Sequence, residues 1–157
     1  MSRRWNEGMG RVSRFISLEP SEKKLFFFSI GWLCVTRLSL TIFPFRKTMY
    51  LVESQVKRCL GKHRGSPAEI SATRLSWLVS RAACLVPGST CLVKALAGKI
   101  IFASQGLNPQ LHIGVNMQEE HGLEAHAWLT LDGEVILGQV PDLSKFTPLS
   151  GPSLLDI

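Results

Sequence analysis

The hydrophobic pattern of this chain changes its period near residue 105, and that change limits the fold more than any other feature. Helical spacing of apolar residues predicts four helices before that point, over residues 20–43, 46–60, 67–85 and 91–104. Alternation of apolar and polar residues predicts three strands after it, over residues 111–117, 124–131 and 134–140. Helices followed by sequential strands predict an α+β domain with an antiparallel sheet.

Residues that break or cap secondary structure mark the ends of these elements. Pro44 ends the first helix because proline lacks the amide N–H, and Gly61 follows the second helix as a C-terminal cap. Ser66-Pro67-Ala68-Glu69 combines a capping serine, an N-terminal proline and a capping-box glutamate, which together predict the start of the third helix. Asp132-Gly133 is a favoured two-residue turn, so the last two strands should form a hairpin.

Charge divides the chain into two regions. Residues 1–66 contain 13 Lys and Arg against 4 Asp and Glu, whereas residues 67–157 contain 5 against 8. We therefore predict a basic helical region over 1–66 that docks a partner or a substrate, and a second domain over 67–157. A solvated helical surface explains the basic charge equally well. We do not expect a nucleic-acid partner, because the aromatic residues of 26–32 lie in one apolar run and do not alternate with Lys and Arg.

The apolar run over residues 25–36 raises the question of a membrane. It is shorter than the roughly 20 residues that span a bilayer, so we interpret it as a buried or surface-lying helix. Basic residues flank it on both sides, which leaves peripheral membrane contact open. The four cysteines show no CxxC spacing, which favours a reduced, cytoplasmic protein over a disulfide-bonded one.

Two residues have the placement that nucleophilic catalysis requires. Cys91 follows Pro-Gly-Ser-Thr at a predicted helix start, where free amide N–H groups and the helix dipole favour a thiolate and can hold an oxyanion. His126 shares one strand face with Trp128 and Thr130, and can take a proton from a thiol on a packed helix. In the simpler alternative, Cys91 is a small core residue and His126 a surface histidine.

A third catalytic residue is less well defined. Asp132 lies six residues from His126 along the same strand, about 20 Å in extended chain and too far for a hydrogen bond. Counting back from the turn pairs His126 with Gln139, whose amide could orient the imidazole, and Asp142 is the alternative. A zinc site of Cys91, His112, His121 and His126 is a rival, but His121 lies in a polar loop, so we expect no metal and no cofactor.

Four stretches of sequence carry a family resemblance: residues 88–97 (GSTCLVKALA), 112–115 (HIGV), 124–129 (EAHAWL) and 146–149 (FTPL). In this order and spacing they resemble the papain-related, transglutaminase-like core, in which a catalytic helix packs on an antiparallel sheet of three or more strands. Within that superfamily the chain resembles the stand-alone leader peptidases of lasso-peptide biosynthesis, over about residues 17–150.

The resemblance implies a cysteine protease that removes the leader from a ribosomally made precursor peptide. A separate leader-recognition protein would present the precursor, and a separate ATP-dependent cyclase would close the macrolactam. The match makes Cys91 the nucleophile and His126 the base, but Gly138-Gln139 stands where the family has an Asp on the paired strand. An acyl-transferring transglutaminase-like enzyme and a non-catalytic peptide-binding scaffold are the alternatives.

Overall fold

The computed structural model describes residues 19–62, 70–118 and 122–148, and over these residues it confirms the α+β class. The helices are α1 (Pro20–Ile42), α2 (Phe45–Lys62), α3 (Ala72–Ala83) and α4 (Cys91–Ala103). The strands are β1 (Gln110–Gln118), β2 (Gly122–Leu131), β3 (Glu134–Leu137) and β4 (Thr147–Pro148). β4 is an addition to the three predicted strands.

The strands form one antiparallel sheet in the order β3-β2-β1-β4. β1 and β2 pair without interruption from Gln110–Thr130 to Gln118–Gly122. Asp132 and Gly133 have φ angles of 51° and 87°, which is the backbone of a tight hairpin turn with the twist of the flanking strands. The predicted hairpin is therefore confirmed.

The third strand is shorter than predicted, and its register shifts. Leu131 lies opposite Glu134, but a bulge between Leu129 and Thr130 brings Leu129 opposite Leu137. β3 then ends, because Gly138 adopts a φ of 85°. The paired part of β3 does not reach Gln139, so the counted pairing of Gln139 with His126 is wrong.

Two helix ends also differ from the prediction. The predicted helix start at 66–69 lies outside the described residues, and the described helix α3 begins only at Ala72. Ser71 is extended (φ −67°, ψ 148°) and its Oγ accepts a hydrogen bond from the Arg74 amide at 3.3 Å, as an N-cap does. α2 continues through Gly61 to Lys62, since a glycine in the last turn of a helix costs only about 1 kcal/mol.

α4 is the central element of the core. On one side it packs against α1, α2 and α3, and on the other against the sheet. Gly98 permits the close approach to the sheet, because a Cβ there would lie 2.6 Å from Leu137 Cδ2 and 3.1 Å from Leu129 Cδ1. One apolar cluster therefore extends from Phe26 of α1, through α3 and α4, to Leu129 of β2.

Two ion pairs join helices from the two predicted regions. Arg74 Nε of α3 lies 2.6 Å from Glu22 Oε1 of α1, and this hydrogen bond lowers the pKa of Glu22. Lys99 of α4 pairs with Glu53 of α2. The predicted boundary between a docking region and a catalytic domain at residue 66 stays a prediction. The helices on the two sides of that boundary pack against each other.

Among the described residues, one helix is long and apolar enough to cross a membrane by length and composition. It is α1, with a mean hydropathy of 1.7 over its most apolar window, of which 28% is buried. A core helix or a signal sequence near the N-terminus has the same properties. The predicted cytoplasmic location therefore stays a prediction.

Candidate active site

Cys91 is the first residue of α4, and the preceding turn holds it there. Thr90 is the N-cap, with its Oγ1 accepting a hydrogen bond from the Val93 amide at 3.4 Å. The next amide, of Lys94, donates to the Thr90 carbonyl at 3.0 Å. No hydrogen bond among the described residues uses the amides of Cys91 and Leu92, so both remain as donors beside the thiol.

The turn before Cys91 also contacts α1. Gly88 has a φ of 71°, and a Cβ at this position would lie 2.1 Å from Nη1 of Arg37. The guanidinium group therefore lies directly on the Gly88 backbone, three residues before the cysteine. In this way the basic helical region supports the position of the α4 N-terminus.

The other three cysteines lie in different environments. Cys84 donates a hydrogen bond to the Ser80 carbonyl at 3.3 Å at the end of α3. Burial raises the pKa of the Cys59 thiol in α2, and Cys34 is exposed on α1. Cys91 alone begins a helix, which is the placement that a nucleophilic cysteine requires.

His126 lies on β2 opposite Gly114, and its imidazole is held by the backbone. Its Nε2 lies 2.6 Å from the carbonyl oxygen of Gly138. Because a carbonyl oxygen only accepts hydrogen bonds, Nε2 carries the proton and the neutral ring keeps its lone pair on Nδ1. Nδ1 is therefore the nitrogen able to act as a base.

Aromatic rings surround His126. The ring is stacked on Trp128 with centroids 6.2 Å apart, and Phe146 lies at 5.4 Å. His112 stacks on the same Trp128 at 5.5 Å, and its Nε2 lies 2.8 Å from Oγ1 of Thr130. These contacts fix the plane of the imidazole within a largely buried layer.

The family of the chain follows from a comparison with family models. Residues 39–151 match the model described as the transglutaminase-like superfamily. The chain belongs to that superfamily. Members of the transglutaminase-like superfamily are typically cysteine peptidases or acyltransferases. No curated protein and no solved structure matches the chain.

The matched segment begins in α1 and continues past β4, so it includes Cys91, His126 and Gly138. In this transglutaminase-like domain no hydrogen bond joins Cys91 to His126. Strand alternation explains the separation, since Ala127 and Leu129 are buried on the α4 side and His126 projects to the other face. The catalytic pairing of these two residues stays a prediction, and it requires the imidazole to approach Sγ of Cys91 from the other face when substrate binds.

The predicted orienting residues lie elsewhere. Gln139 is exposed beyond the end of β3, and Asp142 is exposed with its Oδ1 3.3 Å from Nζ of Lys145. Their orienting roles stay predictions. Sequence reasoning missed the Gly138 carbonyl, because a backbone acceptor has no residue-type signal.

The rival zinc site concerns Cys91 and three histidines. His112 and His126 both stack on Trp128, and His121 lies outside the described residues. Among the described residues no three potential metal ligands converge.

Gly138 leaves no space for a side chain. A Cβ there would lie 2.8 Å from the Ala127 carbonyl oxygen and 3.0 Å from Cα of Trp128. An aspartate at this position therefore does not fit this backbone, and the main-chain carbonyl is the group that orients the ring.

We expect Gly138→Ala to displace the carbonyl from His126 and to lower the free energy of unfolding by about 2–3 kcal/mol, from the positive φ and the clash. Gly133→Ala is the matched control, since Gly133 has a φ of 87° but open space around it. Thermal unfolding measures the loss of stability, and the ¹⁵N chemical shifts of His126 report which ring nitrogen is protonated. Equal losses of stability and unchanged ¹⁵N shifts in both variants would contradict this account.

Proposed function

We propose that this protein is a cysteine peptidase that removes the leader segment from a ribosomally made lasso-peptide precursor. The observation that carries the proposal is the position of Cys91 as the first residue of α4, where its own amide and that of Leu92 remain as donors. The hydrogen bond from Nε2 of His126 to the Gly138 carbonyl leaves Nδ1 as the nitrogen able to act as a base. The superfamily match also supports the proposal.

In the proposed first half-reaction, substrate binding brings the imidazole of His126 to the α4 side of the sheet, where Sγ of Cys91 transfers its proton to Nδ1 and attacks the carbonyl carbon of the scissile bond. The amides of Cys91 and Leu92 donate hydrogen bonds to the oxyanion that forms. The C–N bond then breaks, and the proton on Nδ1 moves to the leaving amine, which becomes the N-terminus of the core peptide. The leader remains as a thioester on Cys91.

In the second half-reaction, Nδ1 takes a proton from water as its oxygen attacks the thioester. The C–S bond breaks, the leader leaves with a free carboxylate, and the thiol of Cys91 regains the proton. The Gly138 carbonyl is the hydrogen-bond acceptor that this chain offers to Nε2. It stabilises the imidazolium less than a charged carboxylate would, so we expect slower turnover than with an aspartate at that place.

The proposed partners follow from this reaction. The precursor binds through its leader, a recognition protein presents it, and an ATP-dependent cyclase uses the freed amine. Transfer of the acyl group from Cys91 to an amine in place of water is the second candidate function, since the same thioester precedes both outcomes. Catalytically inactive peptide binding is the third.

A cleavage assay distinguishes these functions. The full chain is incubated with a precursor peptide and recognition protein in H₂¹⁸O containing a primary amine, and the products are analysed by mass spectrometry. We expect a leader fragment with ¹⁸O in its new carboxylate and a core peptide with a free amine. A leader–amine adduct would favour acyl transfer, and intact precursor bound to a folded protein would favour the scaffold. A precursor with a scrambled leader is the control.

A further inference from the structure

α1 has a second apolar face that the core does not cover. Its buried side contacts the core through Phe26 and Leu33, and Ser29 and Thr36 are buried on the same side. On the opposite side, seven exposed residues at helical spacing form one stripe, which we call the exposed stripe: Phe27, Phe28, Gly31, Cys34, Val35, Leu38 and Ile42. At 100° per residue these positions fall within an arc of about 120°.

The exposed stripe is long and strongly apolar. Phe27, Leu38 and Ile42 are 62%, 58% and 67% exposed. From Phe27 to Ile42 the stripe extends about 22 Å along the helix, and it contains no charged side chain. A patch of this size on a folded protein indicates a binding surface, because isolated exposed apolar residues do not align in this way.

The net charge of α1 and α2 is positive. The described residues 19–62 contain eight Lys and Arg against three glutamates. Two of those glutamates, Glu22 and Glu53, pair with Arg74 and Lys99 from the rest of the fold. Exposed Lys24 precedes the stripe by one helical turn on the same side of α1, and exposed Arg46 follows its C-terminal end at the start of α2.

We propose that α1 lies flat on a lipid bilayer rich in anionic headgroups, with the exposed stripe in the acyl boundary and Lys24 and Arg46 on lipid phosphates. An apolar helical face with basic residues at its ends binds such an interface through two contributions, the burial of apolar area and the attraction of Lys and Arg to anionic lipids. A protein partner would have to supply its own acidic residues at both ends of the stripe, whereas an anionic bilayer presents phosphates along its whole length. The proposal rests on the packing of α1, and it is independent of the peptidase activity.

Vesicle sedimentation tests the proposal with the full chain. We expect binding to vesicles made of equal parts phosphatidylglycerol and phosphatidylcholine, and at least about tenfold weaker binding to phosphatidylcholine alone. Raising NaCl from about 0.1 M to about 1 M shortens the screening length from about 10 Å to about 3 Å and should release most of the protein.

Two variants locate the contact. Leu38→Glu should weaken partitioning at least about tenfold, because it places a carboxylate in the acyl boundary. Leu123→Glu is the matched control, since Leu123 is 65% exposed on β2 and should leave partitioning unchanged. Lys24→Gln and Arg46→Gln should each weaken binding to anionic vesicles about fivefold. All four should cleave a soluble precursor like the wild type, so failure of this proposal and failure of the peptidase proposal are distinguishable.

Several results would overturn the proposal. One is the absence of binding to anionic vesicles, and another is an equal effect of Leu123→Glu and Leu38→Glu. Pelleting that survives alkaline carbonate would show a membrane-spanning helix instead. A dimer that Leu38→Glu dissociates, without vesicle binding, would assign the stripe to a second copy of the chain. Binding to the cyclase but not to lipid would assign it to a protein.

Discussion

Cys91→Ala is expected to abolish leader cleavage, with kcat/KM falling by about 10⁴ or more, because the thioester that divides the reaction into two steps cannot form. Binding of the precursor should persist, since the amides at the start of α4 remain. Mass spectrometry of the denatured wild-type protein should show a leader adduct on Cys91 early in the reaction, and the variant should show none.

Cys84→Ala is the matched control for this prediction. Cys84 is an exposed thiol at the end of α3, bonded to the Ser80 carbonyl, and it has no catalytic role in the proposal. We expect the Cys84 variant to cleave at the wild-type rate. Cleavage by the Cys91 variant at more than a trace would refute the nucleophile assignment, whatever the result for Cys84.

His126→Ala should reduce kcat/KM by about 10²–10⁴-fold, the usual range for loss of a general base. The rate of alkylation of Cys91 by iodoacetamide at neutral pH should also fall, because the thiol loses the base that takes its proton. This second measurement reports directly on the thiol, so it separates loss of the base from weaker binding of the precursor.

His112→Ala provides the comparison for His126. Both rings stack on Trp128, but only His126 has its Nε2 on the Gly138 carbonyl. If the stack only supports the fold, the two variants should lose activity and stability alike. If Nδ1 of His126 is the base, His112→Ala should keep most of the cleavage rate and most of the rate of alkylation of Cys91.

The parts of the fold that local sequence determines were predictable. The Asp132-Gly133 turn and the start of the α4 helix at Cys91 depend on backbone preferences within a few residues, and both are confirmed. The α+β class follows from the change in hydrophobic period, because each period permits one kind of element.

The parts that depend on tertiary contacts were not predictable. The bulge at Leu129 adds a residue to one strand only, and no residue type marks it. It shifts the register of β3 and, together with the end of the strand at Gly138, removes the pairing expected for Gln139 and leaves a glycine carbonyl on His126. A prediction that assumes uniform alternation cannot detect such a shift. The sequence therefore identifies Cys91 and His126 as candidate catalytic residues, but it does not identify the group that orients His126.

The core described above joins residues that are far apart in sequence. Phe26 of α1 and Leu129 of β2 belong to one cluster, roughly 100 positions apart. At about 5–20 residues per second of translation, β2 emerges about 5–20 s after α1. Until α3 and α4 emerge and cover its buried face, both apolar faces of α1 are uncovered on the ribosome. The newly made helix can therefore meet a membrane or a chaperone before its own core exists, and the order of synthesis favours early capture of the N-terminal region.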